Sequence, residues 1–450
     1  MLDRRRFLTA LAAPFAAQAQ RRKPNIVILF ADDLGFGECG FQGNREIPTP
    51  NIDSIASGGV RFTNGYVTAP VCCPSRAGMM TGRYQTRFGH ELNLIGRANL
   101  EPNAGLPLTE RTMAERYKAA GYATGLVGKW HLGASAPYHP LRRGFDEFYG
   151  FLHEGHFYNP PPYRGALTRL RTNEPPYDDA NPVMRGTDPI VEPEYLTDAL
   201  AREAVGFIDR HREHPFFLYL AFNAVHSPMQ APVPLVREFQ HIQDEQRRLF
   251  AAMLSSMDSA AGRVLSTLRE RNLDNDTLVF FLSDNGGPTA ELTSTNEPLR
   301  GGKGQLWEGG IRVPFAVQWK GRIPGGVTYQ EPVTSLDILP TGLAAAGAVG
   351  VQGLDGVNLL PYLTGEAKGA PHESLFWRYG RSIALRRGNW KIVRQSQTRN
   401  EDAPYRLYDL DRDVGETRDA ASVNATELSR LREEVEALNR EMVAPLWGRA

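Results

Sequence analysis

Cysteine is scarce. The 450-residue chain has 3, namely Cys39, Cys72 and Cys73. So few exclude a disulfide scaffold. No charge of one sign dominates either: Lys and Arg total 51, and Asp and Glu total 51. Without a basic excess, neither nucleic acid nor an anionic membrane surface is indicated as a partner. Any preference for anions has to come from a local site. Beyond the first twenty residues no apolar run is long enough to cross a bilayer. Internal repeats and low-complexity tails are also missing. What remains is an ordinary globular balance, 41% hydrophobic and 23% charged. The length suits one large α/β domain with a smaller one attached.

The first nineteen residues stand apart. Arg4, Arg5 and Arg6 precede a short apolar run, Phe7 to Ala17, and Ala17-Gln18-Ala19 offers small residues where a signal peptidase cuts. Residues 1–19 are expected to be an export signal. The order Arg-Arg-x-Phe-Leu resembles a bacterial twin-arginine signal, with a general secretory peptide as the alternative. Its removal would leave a chain without a membrane span, in the periplasm or outside the cell. That compartment oxidises thiols. Adjacent cysteines nevertheless rarely bridge each other, because the geometry is strained. A bridge from Cys39 to Cys73 has nothing in the sequence to support it.

Four short apolar runs read as buried parallel strands: NIVILF (25–30), ATGLVG (123–128), FFLYLAF (216–222) and TLVFFL (277–282). Between the last two, Phe250, Met253, Leu254, Met257, Val264, Leu265 and Leu268 recur at helical spacing. Alternating strands and helices predict a large, mostly parallel sheet sandwiched by helices. In such a sheet the ligand crevice lies at the carboxyl ends of the strands. Here each run ends in polar chemistry: Asp32-Asp33, Lys129-Trp130-His131, Asn223 to His226, and Ser283-Asp284-Asn285. One such ending means little in an α/β protein. Four together imply one shared site.

Asp32, Asp33, Asp284 and Asn285 form an acidic set. Three converging carboxylates would repel and raise one another's pKa unless a divalent cation sat among them. All-oxygen donors, with no His or Cys at metal spacing, select Ca²⁺ or Mg²⁺ over zinc. Arg76, Lys129, His131, His226 and Lys303 form a cationic set. Cations around a metal suit a tetrahedral anion, sulfate or phosphate, whose charge they would share.

The stretch Cys72-Cys73-Pro74-Ser75-Arg76, continued through Thr81-Gly82-Arg83, closely resembles the signature of type I sulfatases of the alkaline-phosphatase superfamily. The resemblance runs through NIVILFADDLGFGECG, VGKWHLG, FNAVHSP, SDNGG, GGKGQLWEGGIRVP and LYDLDRD, nearly the whole mature chain. It implies that a maturation enzyme oxidises Cys72 to Cα-formylglycine, reading Pro74 and Arg76. Cys73 then occupies a variable position and is expected to have no role. The resemblance also implies the chemistry. One hydroxyl of the aldehyde hydrate, made acidic by the metal, attacks sulfur. Deprotonation of the other then expels sulfate. Asp32, Asp33, Asp284, Asn285 and residue 72 would bind the metal. Arg76 and Lys129 would hold the hydrate, with His131 the base for the eliminating step. His226 and Lys303 would contact sulfate. His226 is preferred as general acid, because a histidine titrates near neutral pH, and Asp284 is its rival.

The expected substrate is a sulfated carbohydrate. Alternatives are a phosphomonoesterase or phosphodiesterase of the same superfamily, or an inactive sulfated-glycan binder. Residues 153–195 lack periodicity and are rich in Pro, Tyr and Arg. They read as a long functional loop walling the substrate pocket, with Tyr158, Tyr163 and Tyr177 as stacking surfaces. His90 is a weaker candidate for substrate contact. Past residue 370 the short runs SLFWRYG, SIALRRGNWKIVR and YRLYDLDRD predict a small antiparallel sheet, closed by a helix over 426–442. The expected organisation is a signal at 1–19, a catalytic α/β domain at 20–370 and an α+β subdomain at 371–450.

Overall fold

The computed structural model describes residues 22–172, 174–175, 177–348, 351–396 and 403–448. The expected export signal lies outside them. Five parallel strands form the centre: β1 (Asn25–Ala31), β2 (Ala123–Lys129), β3 (Glu147–Phe151), β4 (Phe216–Ala221) and β5 (Thr277–Ser283). Their spatial order is β5-β1-β4-β2-β3. Beyond β5 come Phe315–Gln318, antiparallel, and then Val60–Phe62 and Val327–Tyr329. Beyond β3 the hairpin Val183–Arg185 and Asp188–Ile190 completes ten strands.

Both faces of β1 are dry, which explains its unbroken apolar run. Val27, Leu29 and Ala31 join one core with Ala204 and Phe207 of helix α2 (Leu196–His211) and Met253 and Met257 of helix α3 (Glu245–Glu270). Ile26, Ile28 and Phe30 join the other, beneath helix α1 (Cys72–Thr81). Each fully buried Leu, Ile or Phe contributes about 1.5–3 kcal/mol. The anticipated helical stripe from Phe250 to Leu268 lies within α3 and is fully buried at its main positions.

One sequence expectation is met here and one changes. Cys39 packs in the first core and Cys73 in the second, so the sheet separates them, and all three cysteines are free thiols. Residues 153–195 are also more ordered than an aperiodic loop. Ala166–Arg169 pairs with Met229–Pro232, and residues 183–190 extend the main sheet. Backbone pairing on a sheet edge, which needs no apolar alternation, hid these strands from the sequence.

The C-terminal part is a four-stranded antiparallel meander: β6 (Leu375–Tyr379), β7 (Ser382–Arg387), β8 (Trp390–Arg394) and β9 (Arg406–Asp409). Helix α4 (Ala425–Arg440) closes it by burying Leu431 and Val435 against Leu385 and Ile392. Among the described residues no helix is long and apolar enough to cross a membrane.

Candidate active site

Backbone pairing carries the strand ends onward as a rigid rim. Asp284 N–H donates to Ala31 O at 3.1 Å, Asp32 N–H to Ala224 O at 2.9 Å, and Val225 N–H to Asp32 O at 2.8 Å. Asp33 and His131 adopt left-handed backbone, with φ of 61° and 57°. For non-glycine residues this costs about 1–3 kcal/mol and is tolerated where the surroundings enforce it. Gly128, just before Lys129, also has positive φ, and a Cβ there would sit 1.8 Å from Ala221 O. Only glycine lets β2 approach β4 closely enough to bring Lys129 to the rim.

At this rim Asp32, Asp33, Cys72 and Asp284 each offer a donor atom, all within 4.8 Å of one another and all buried. Cys72 stands at the first position of α1. Its sulfur lies 3.5 Å from Asp32 Oδ1. Burial, with Asp284 and Asp32 beside it, pushes its thiol well above the usual value. An unmodified Cys72 is therefore a poor nucleophile. Asn285 Nδ2–H donates to Asp33 Oδ1 at 2.7 Å, whereas its carbonyl Oδ1 is buried without a partner. An orphaned carbonyl beside three carboxylates is what an oxygen-seeking cation would satisfy.

Three cations interleave with these carboxylates. Arg76 donates to Asp284 from Nη2 at 2.8 Å and from Nε at 3.1 Å, and from Nη2 to Asp32 at 3.1 Å. Lys129 Nζ donates to Asp32 Oδ2 at 2.5 Å, and Lys303 Nζ to Asp33 Oδ2 at 2.7 Å. Burial alone would raise the Asp33 carboxyl, but Lys303 and His226 outweigh it and hold the group below its ordinary range. Asp284 goes the other way, raised by burial and by Asp32.

His226 Nε2 is 3.7 Å from Asp33 Oδ2, and its Nδ1–H donates to Ser227 O at 2.6 Å. Burial, then Lys303, push it down to about 3. His131 Nε2–H donates to Leu94 O at 2.7 Å, leaving Nδ1 buried and unpartnered. Burial, then Lys129, hold it neutral. Direct contacts thus gather Asp32, Asp33, Cys72, Asp284, Asn285, Arg76, Lys129, Lys303 and His226 into one cluster, with His131 adjoining it next to Lys129.

Other expectations fall. His90 is fully buried against Cys73 and Trp447 and cannot touch a substrate. Tyr158 and Tyr177 are 1% and 4% exposed, so neither offers a stacking face. Tyr158 instead donates to Asn223 O and His226 O at 2.9 and 2.8 Å, bracing the histidine loop. The sequence reading missed Tyr219 of β4, whose hydroxyl receives Arg76 Nη1 at 3.3 Å. A tyrosine in a strand buried on both faces was the available signal.

Buried carboxylates, an orphaned carbonyl and flanking cations at the carboxyl ends of a parallel sheet form an acidic cluster able to hold a metal ion, beside cations able to hold a tetrahedral anion. Comparison makes the class specific. The sulfatase family matches residues 24–348. Human arylsulfatase A is 34% identical over 456 residues, covering 92% of this chain and 85% of that protein. The N-acetylgalactosamine-6-sulfatase of Canis lupus familiaris is 35% identical over 379 residues, covering 80% and 70%. The crystal structure of Ps i-CgsB in complex with k-i-k-neocarrahexaose superposes with a TM-score of 0.86 at 35% identity, covering 95% of both chains. The chain belongs to the sulfatase family and is a sulfuric ester hydrolase. That membership sets aside the phosphoesterase and inactive-binder alternatives.

Proposed function

We propose that this chain releases inorganic sulfate from a sulfated saccharide, using a formylglycine made from Cys72 by a formylglycine-generating enzyme. One Ca²⁺, or Mg²⁺ in its place, is held by Asp32, Asp33, Asp284, Asn285 and the oxidised residue 72. The carrying observation is the convergence of buried oxygen donors on one point, with Asn285 Oδ1 left unpartnered. When bound, the ion supplies Lewis acidity that makes a hydroxyl on residue 72 nucleophilic near neutral pH. Charge matching supports the assignment. Three carboxylates face three cations, so a divalent ion leaves a positive excess suited to a monoanionic sulfate ester and an ionised hydroxyl.

The protein's own groups divide the remaining work. Arg76 and Lys129 fix the carboxylates from behind. Lys303 has a side chain 19% exposed, and stands where it can turn from Asp33 to the sulfate. Asp284 accepts from Arg76 through one oxygen and from the Asp33 N–H through the other, and its remaining lone pair would serve the ion, so protonating it would cost the ion a ligand. That favours His226 as general acid. With Nδ1–H tied to Ser227 O, its Nε2 is the atom that would deliver the proton, and because burial and Lys303 hold the ring neutral, the incoming anion and the turning of Lys303 to it must first raise its affinity for that proton. His131, with Nδ1 bare, is the base for sulfate release.

A saccharide substrate is supported by the printed ligand of the Ps i-CgsB complex and the name of the N-acetylgalactosamine-6-sulfatase relative. Exposed Arg164 and Arg169, beside the histidine loop, would meet an anionic chain. Export through the signal at 1–19, to the periplasm or beyond the cell, belongs to the same reading. So does the division into 20–370 and 371–450. The first test is mass spectrometry of the tryptic peptide Phe62–Arg76, then sulfate release from defined sulfated saccharides. Oxidation at residue 72 with saccharide turnover is expected. Hydrolysis by a chain with both cysteines intact would overturn the mechanism. Turnover of aryl or steroid sulfates alone would overturn the substrate.

A further inference from the structure

Cys73, expected to be idle, has two polar partners in the fold. Its N–H donates to Asn93 Oδ1 at 2.9 Å. Its sulfur lies 2.8 Å from His90 Nε2. On the other side of the same peptide segment, Leu94 O accepts the Nε2–H of His131 at 2.7 Å. Cys73, His90, Leu94 and His131 are all 0% exposed. Trp447 closes the outer side: its ring meets His90 edge-on at 4.7 Å, and its Nε1–H donates to Leu92 O at 2.9 Å.

We infer that Cys73 is a positioning residue for His131, acting through His90 and the Leu94 peptide. The sulfur holds the His90 ring and the Cys73 N–H holds Asn93 Oδ1, so the 90–94 segment is pinned to the start of α1 at both places. Held in this way, Leu94 presents its carbonyl to His131. A carbonyl can only accept, so it fixes the His131 proton on Nε2 and leaves Nδ1 as the lone-pair nitrogen. Because Cys73, His90 and Leu94 are fully buried, no solvent substitutes there for a lost partner, and removing the thiol frees the peptide to shift. The residue immediately after the oxidised cysteine thereby orients the base that acts on that residue.

The inference rests on the reading of His131 as the base for sulfate release. In that step the second hydroxyl on residue 72 gives its proton to His131 Nδ1. The O–H electrons form the aldehyde C=O, and the C–O bond to sulfate breaks with its electron pair leaving on sulfate. A misplaced His131 slows only this second half. Ester cleavage, the first half, sets kcat/KM. A displacement of about 1 Å can cost about 100-fold in rate.

The experiment uses Cys73→Ala and Cys73→Ser in the full chain, matured in a host that forms formylglycine. Rates on a nitrophenyl sulfate are normalised to the formylglycine content of residue 72, measured by mass spectrometry. Cys73→Ala should lower kcat at least about tenfold, with KM falling in proportion and a burst of nitrophenol appearing. Cys73→Ser keeps an acceptor and a donor at that point and should restore kcat. A second readout needs no turnover: ¹⁵N-histidine NMR of unmatured protein, with His131→Ala to assign the signal. The wild type should show His131 protonated on Nε2 alone, and Cys73→Ala a mixture of tautomers. Wild-type kcat and a single tautomer in Cys73→Ala would overturn the inference, as would equal loss of kcat and kcat/KM. If the tautomer mixes while His131→Ala retains full kcat, the relay stands and the reading of His131 as base is what fails.

Discussion

Two buried ionic networks lie on either side of the loop at residues 299–311. At the catalytic rim, three carboxylates meet Arg76, Lys129 and Lys303. At the seam with the C-terminal sheet, Lys391 of β8 sits 2.9 Å from both Glu308 and Glu416, all fully buried. Tyr66 donates to Glu308 at 2.6 Å, and Arg312 stands 3.4 Å from it. The ingredients match, but the geometry does not. At the rim, donor atoms from two strand ends and the start of α1 crowd one point and leave Asn285 Oδ1 unsatisfied. At the seam, a single lysine separates two carboxylates. Burial would raise Glu308, but Lys391 and Arg312 outweigh it and push it down to about 2. Glu416, with burial dominant and Glu308 beside it, is pushed up to about 7 and holds a proton at mildly acid pH. Converging acceptors make a cation site, whereas alternating charges make a weld.

The largest expected effect is at the rim. Cys72→Ala should abolish sulfate release while the melting temperature stays near that of the wild type. Wild-type-like turnover would sink the proposed chemistry. The matching change at the seam is Lys391→Met. It should cost about 3–5 kcal/mol of stability, because two buried carboxylates lose their shared partner, and thermal or denaturant unfolding would measure it. Lys303→Met should do the reverse, losing activity with little change in stability. If both lysine variants behaved alike, the contrast between the networks would be wrong.

A third expectation concerns the ion. Ca²⁺ at about 100 times its Kd should stabilise the protein by about 2.7 kcal/mol, seen as a rise in melting temperature that chelator reverses. Asp33→Asn should lose most of that rise, and an undiminished rise would place the ion elsewhere. The smallest effect belongs to His372, whose Nε2 lies 2.8 Å from Asp337 Oδ1. Burial alone would lower its pKa, but Asp337 outweighs it and raises it above 6.5. A pKa raised on folding stabilises fully below about pH 6.5 and is lost as pH rises through the folded value. His372→Gln should cost about 1.5 kcal/mol in that acid range and flatten this part of the stability profile. An unchanged profile in the variant would assign the slope to other groups.

The sequence alone determined the parallel core, because a strand buried on both faces must be a continuous apolar run, as in Asn25–Ala31 and Thr277–Ser283. It also pointed to Asp32, Asp33, Lys129, Asp284 and Asn285, since each follows closely on such a run, whereas Cys72 was legible only through the family resemblance. The antiparallel C-terminal sheet was legible for a similar reason, through its alternation and polar turns. Tertiary structure decided what local pattern does not encode. Strands at 166–169 and 183–190 exist because partner edges were available. Tyr158 became a brace and not a stacking surface because the fold buried it. Cys73 gained its two partners, His90 and Asn93, only when the 90–94 segment, close in sequence but on another element, packed over α1. Side-chain chemistry fixes which bonds a residue can make, but only packing against distant chain decides which of them it does make.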